Sequence, residues 1–105
     1  MTDWTILWPS ASQAAVSAAD TIPTDLSSRL DPIIDAREPR FRALLLAWAD
    51  RALDEETIEA EFEDERYVLE SELLAVDGMP MDVATSAAAA VLDVIEAGLR
   101  EGIAL

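Results

Sequence analysis

Glu56, Glu59 and Glu63 stand at i, i+3 and i+7, the spacing that lines side chains along one face of a helix. Carboxylates gathered in this way have two chemistries open to them. They can hold a hard cation such as Mg²⁺, Mn²⁺ or Ca²⁺ through oxygen, or, as a pair at suitable separation, hydrolyse a glycoside. All three belong to the stretch Asp54–Glu72, DEETIEAEFEDERYVLESE. It carries ten carboxylates (Asp54, Glu55, Glu56, Glu59, Glu61, Glu63, Asp64, Glu65, Glu70 and Glu72) against one base, Arg66. The rest of the chain supports neither chemistry. A sugar site wants a cleft with aromatic walls, and only six aromatic residues are present. A ferritin-like di-iron site needs Glu-x-x-His, and there is no His. No EF-hand loop pattern occurs. Neither a metal nor a cofactor is expected.

The other catalytic constellations fail for want of residue types. Lys, His, Asn and Cys are absent. That removes the Ser-His-Asp triad, the Cys-His pair, the Schiff-base lysine, the P-loop lysine and thiolate metal sites. Only three Gly are present, so no phosphate cradle can be built from them. A non-enzymatic protein is the expectation.

The charge is large and lopsided. Net charge is −15 over 105 residues. Residues 1–53 hold seven acids and five Arg, whereas residues 54–105 hold fifteen acids and two Arg. The apolar fraction of 51% argues for a folded core in spite of this. The start MTDWTILWPS lacks a basic n-region, and Asp93, Glu96 and Arg100 interrupt the best apolar run. Neither a secretory signal nor a membrane span is expected, and the absence of Cys fits a reducing cytoplasm.

The elements that must position the carboxylates read as helices. We expect one all-α domain over residues 1–105, a small bundle of four to five helices, with an irregular or extended segment over residues 1–9. Ser10 is placed as the N-cap of an Ala-rich helix from Ala11 to Ala19. Two short pieces follow, one capped by Thr24 or Asp25 and one with Asp31 before Pro32. A helix over 39–53 starts with Pro39 at its first position and buries Phe41, Leu44, Leu45 and Trp48. The acidic segment is assigned to a helix over 54–76 with Asp54 as cap, about 33 Å long at 1.5 Å per residue. Its stripe is Ile58, Phe62, Leu69, Leu73 and Val76. Glu65 falls inside that stripe, and a hairpin turning at Glu63–Glu65 is the rival. The last helix, 81–101, is apolar over more than half its circumference and should be surrounded by others.

Two kinds of docking surface are open. The first is the acidic helix, presenting Glu56, Glu59, Glu63 and Glu70 on one flank and Glu61, Asp64 and Glu72 on the other to a basic, nucleic-acid-binding protein. Its length matches about one turn of duplex DNA, roughly 34 Å. On this reading the chain is a small inhibitor mimicking nucleic-acid charge, of the anti-defence, anti-CRISPR-like kind phages direct at host nucleases, acting in the host cytoplasm. An immunity or antitoxin protein for a basic nuclease would use the same electrostatics. The second is apolar, an anchor of Trp4 and Trp8 together with the apolar helix faces, which would suit a virion component or a chaperone-like adaptor. Homodimerisation stays open. Against both stand two plainer accounts, a solvated face that keeps an Ala-rich domain soluble and salt adaptation. Salt adaptation predicts acids spread over the whole chain. Direct nucleic-acid binding is disfavoured by the net charge. Arg37, Arg40, Arg42 and Arg51 are the main bases to oppose it, and these are expected to pair with acids inside the bundle.

Overall fold

The chain is organised around its last helix. The computed structural model describes residues 2–104, so Met1 and Leu105, the ends of the expected domain, lie outside the described residues. Four helices of twelve or more residues carry the architecture: α1 (Trp4–Ala18), α4 (Glu38–Ala49), α5 (Glu55–Leu74) and α6 (Met81–Glu101). Two short helices, α2 (Thr24–Ser27) and α3 (Leu30–Asp35), connect α1 to α4. The all-α bundle is therefore confirmed. Two-residue strands, β1 (Thr2–Asp3) and β2 (Ile103–Ala104), pair in parallel and tie the two ends of the chain together.

Helix α6 buries Val83, Ala84, Ala87, Ala88, Val91, Leu92, Ile95 and Gly98, and packs on both α1 and α5. Small residues permit the closest approach. A Cβ on Gly98 would lie 2.7 Å from a methyl carbon of Leu7. The start of α1 thus lies against the end of α6, so the two helices run antiparallel. Helix α5 reaches α6 through a short turn in which Gly78 takes φ +85°, a conformation costly for other residues.

The extended N-terminal segment proves to be only the strand Thr2–Asp3. Helix α1 begins at Trp4 and runs through Pro9, with Asp3 rather than Ser10 as its N-cap: Asp3 Oδ1 accepts from Thr5 N at 2.9 Å. Ser10 instead donates its hydroxyl to the Ile6 carbonyl one turn back. A proline inside a helix removes one hydrogen bond and costs about 3 kcal/mol. Burial offsets this, since each large apolar side chain taken fully out of water contributes roughly 1.5–3 kcal/mol, and Trp4, Leu7 and Trp8 are all buried. The Trp4 and Trp8 rings stack with centroids 5.7 Å apart, Trp8 meets Phe41 at 5.8 Å, and Phe41 meets Phe62 at 6.3 Å. An aromatic ladder therefore crosses the molecule from α1 through α4 to α5.

Helix α4 ends at Ala49, four residues short of the expected boundary. Its close is a Schellman turn: Ala52 N donates to the Ala47 carbonyl at 2.8 Å and Arg51 N to the Trp48 carbonyl at 3.0 Å. Arg51 occupies the left-handed position with φ 58°. The chain must reverse here to start α5, and Asp54 caps the new helix by accepting from Thr57 N at 2.7 Å. Helix α5 is continuous through 63–65, which excludes the hairpin. Ile58, Phe62, Leu69 and Leu73 face the core as the spacing requires, with Val76 half-buried just beyond the helix.

Candidate functional site

The seven carboxylates of the expected acidic surface divide between two flanks of α5, as their spacing predicts. Helix α5 lies in a trough between the α3–α4 side and α6, and its two flanks have different neighbours.

On the α3–α4 side the acids meet arginines. Glu65, buried in the apolar stripe, accepts from Arg40 Nε at 2.9 Å and pairs with the Arg37 guanidinium through its other oxygen. Arg40 also reaches Glu61 at 2.9 Å, and Arg37 approaches Glu72 at 3.5 Å. Such a buried carboxylate is tolerable because both its oxygens carry charged donors. The expectation that arginines pair within the bundle holds for Arg37 and Arg40. Glu61 and Glu72 are half-buried members of this network, so they are withdrawn from the free acidic face. Glu70, also half-buried, accepts the Thr85 hydroxyl of α6 at 2.8 Å and is withdrawn too.

Glu56, Glu59, Glu63 and Asp64 remain on the solvent side. Glu63 pairs with Arg66 one turn on, and that hydrogen bond holds its carboxyl below its ordinary value while raising Arg66. Glu56, Glu59 and Asp64 are exposed and have no hydrogen bond or ion pair with any described residue. Glu55, in the first turn, is in the same position. At the N-cap, the Asp54 carboxyl is held down by hydrogen bonds from Thr57, side chain first and backbone second. Among the described residues no group of three or more acids stands close enough together to hold a metal ion.

The α6 side of this surface contains a half-open cleft of about 350 Å³. Trp48, Ile58, Phe62 and Leu99 supply its apolar walls, and Glu55, Glu59, Glu63, Glu96 and Arg100 supply its polar lining. Burial pushes the Glu96 carboxyl above its ordinary value. Arg100 opposes that shift from 3.9 Å, while Asp93, Glu59 and Glu63 add to it by repulsion. Glu55, Glu96 and Trp48 were missed as site residues. A signal existed for Glu96: in a helical pair pivoting on the turn near residues 77–78, Glu59 and Glu96 stand equally far from the turn, as do Glu70 and Thr85.

Trp4 and Trp8 do not form an exposed anchor. They are only 6% and 8% exposed, and their indole N–H groups donate to Glu38 at 2.8 Å and Asp35 at 3.2 Å. These bonds pin α1 to the α3–α4 side of the bundle. Six large apolar side chains point outward elsewhere: Ile6 on α1, Leu46 on α4, Tyr67, Val68 and Leu74 on α5, and Met81 at the start of α6. No helix among the described residues is long and apolar enough to cross a membrane.

Fold and surface together define a small all-α bundle with one arginine-neutralised flank and one uncompensated acidic flank. No family model, curated protein or solved structure matches the chain.

Proposed function

We propose that the protein acts by binding a basic, nucleic-acid-binding protein, its uncompensated acidic flank taking the place of nucleic-acid phosphates. One observation carries the reading. Glu55, Glu56 and Glu59 crowd the first two turns of α5 and, with Asp64 exposed further round the helix, make no ion pair with any described residue, while Arg37 and Arg40 are committed to Glu61, Glu65 and Glu72 on the other flank. Like charges one turn apart destabilise a helix by a few tenths of a kcal/mol per pair. Acids over the first three turns of α5, about 16 Å at 5.4 Å per turn, suit part of an Arg- and Lys-lined groove already built for a polyanion. The protein would enter that groove as an inhibitor, steered mainly through its association rate. An immunity role against a basic nuclease would use the same surface. Burial of Trp4 and Trp8 takes the tryptophan anchor from an assembly role, which would have to use the exposed Ile6, Leu46, Tyr67, Val68, Leu74 and Met81 instead.

The test is retention of proteins from source-cell lysate on the immobilised chain, eluted with duplex DNA. The expected result is a basic protein displaced by DNA, and lost when Glu56→Gln, Glu59→Gln and Asp64→Asn are combined. A partner held equally by that triple variant and indifferent to DNA and salt would overturn the proposal.

A further inference from the structure

We infer that the cleft between α4, α5 and α6 is the docking pocket for one arginine side chain of the basic partner, its guanidinium lying against Trp48 between Glu59 and Glu96. The inference rests on the basic-partner reading above and assigns that reading a point of attachment.

Three features of the cleft converge on this occupant. The first is the indole. Trp4 and Trp8 both spend their ring N–H groups on carboxylates, whereas the Trp48 N–H has no hydrogen bond to any described residue. Trp48 is half-buried and lines the cleft together with Ile58 and Phe62, and an indole is the aromatic side chain best suited to hold a cation over its face.

The second is charge. Four carboxylates line the cleft against Arg100 alone, and Glu63 is already taken by Arg66. Arg100 is a weak internal counter-ion, with its side chain 78% exposed and 3.9 Å from Glu96. Repulsion from Glu59 and Glu63 bears on Glu96 across the α5–α6 seam. A cation placed there relieves it.

The third is the spacing of the acids. They are not gathered closely enough to hold a metal ion, so the fitting cation is an extended organic one. A guanidinium is planar, stacks on aromatic faces and presents a fork of donors to separated carboxylates. An ammonium is a compact, strongly hydrated point charge and exploits neither the wall nor the separation.

The test uses the full ¹⁵N-labelled chain and three probes: N-acetyl-arginine amide, N-acetyl-lysine amide and the neutral isostere N-acetyl-citrulline amide. The Trp48 indole resonance is the reporter, and the buried indoles of Trp4 and Trp8 are internal controls of the fold. A saturable shift confined to Trp48 is expected with the arginine probe only. Combining Glu59→Gln with Glu96→Gln should weaken that binding by about tenfold or more, the loss expected when a hydrogen bond to a charged group is removed. Arg100→Ala should strengthen it by removing the internal competitor. The assignment is overturned by a Trp48 shift that does not saturate, by equal shifts with citrulline or lysine, or by an arginine response unchanged in the double variant. Because these probes need no partner protein, failure here leaves retention and DNA elution of a lysate partner intact. Loss of that retention, in turn, would leave the probe result standing.

Discussion

The Nε of Arg40 donates to Oε1 of Glu65 at 2.9 Å, joining a half-exposed arginine on α4 to a carboxylate sunk in the apolar stripe of α5. Arg37 holds the other carboxylate oxygen, and its own Nε is buried without a partner. The network is thus centred on Glu65. Glu65→Ala should destabilise the fold by about 3 kcal/mol, the low end of the range for breaking a buried ion pair, because both arginines can turn toward water. Arg40→Ala should cost less, since Arg37 still covers the carboxylate. Urea denaturation of both variants checks the order, and equal losses would contradict it.

Gly98 and Leu7 set the separation of α1 and α6. An alanine at 98 gains roughly 1 kcal/mol of helix propensity, but its Cβ would sit 2.7 and 2.8 Å from the two Leu7 methyl carbons. Overpacking of a closed core costs about 1–3 kcal/mol. Leu7 is buried and has little room to turn, so Gly98→Ala should be net destabilising by about 1 kcal/mol. In a Leu7→Ala background the same substitution should become stabilising. A double-mutant cycle by thermal denaturation reads this sign reversal, and additive effects would show that the two side chains are not in conflict.

Arg51 closes α4 in the left-handed conformation, with φ 58°. For a residue with a Cβ this costs roughly 1–2 kcal/mol, and glycine is free of that cost. Arg51→Gly should therefore raise stability by about 1 kcal/mol, after allowance for the more flexible unfolded chain. Arg51→Ala, which keeps the Cβ, should not. An increase with alanine equal to that with glycine would move the effect from backbone to charge.

Glu96 sets a pH dependence of defined sign. Burial raises its folded pKa above the unfolded value, so the native state binds the proton more tightly. Stability contributed by this group is present at low pH and declines as pH rises from the unfolded value through the raised one. Glu96→Gln should raise the melting temperature at neutral pH, with the gain shrinking as pH drops below the ordinary carboxylate range. Asp54 and Glu63 act in the opposite direction: their lowered values mean that their stabilisation is lost as pH falls through them. Melting curves of Glu96→Gln and the parent chain from acid to neutral pH distinguish these contributions. A gain that grows on acidification would reverse the assignment for Glu96.

Local periodicity was enough for much of this architecture. The stripe Ile58, Phe62, Leu69, Leu73, the Asp54 cap and the Met79-Pro80 entry to α6 are sequence-local signals, and the helices formed where those signals stood. The misjudged boundaries lie where local chemistry was overruled. Pro9 argues against a helix at residues 4–10, but burial of Trp4 and Trp8 against Phe41 outweighs the lost hydrogen bond. Nothing in the stretch Asp50–Leu53 provides a glycine stop, yet α4 must end there for α5 to fold back across it.

The acidic surface divides along the same line. Sequence alone determined its charge, its helical spacing and its want of any His, Cys or Lys chemistry, because composition and the 3.6-residue period require no knowledge of neighbours. Tertiary structure decided which carboxylates are neutralised. Glu61, Glu65 and Glu72 meet arginines more than twenty residues away in sequence, Glu70 meets Thr85, and Glu56, Glu59 and Asp64 meet none among the described residues. A carboxylate's electrostatic state depends on charges within a few ångströms in space. That proximity is set by how α4 and α6 pack across α5.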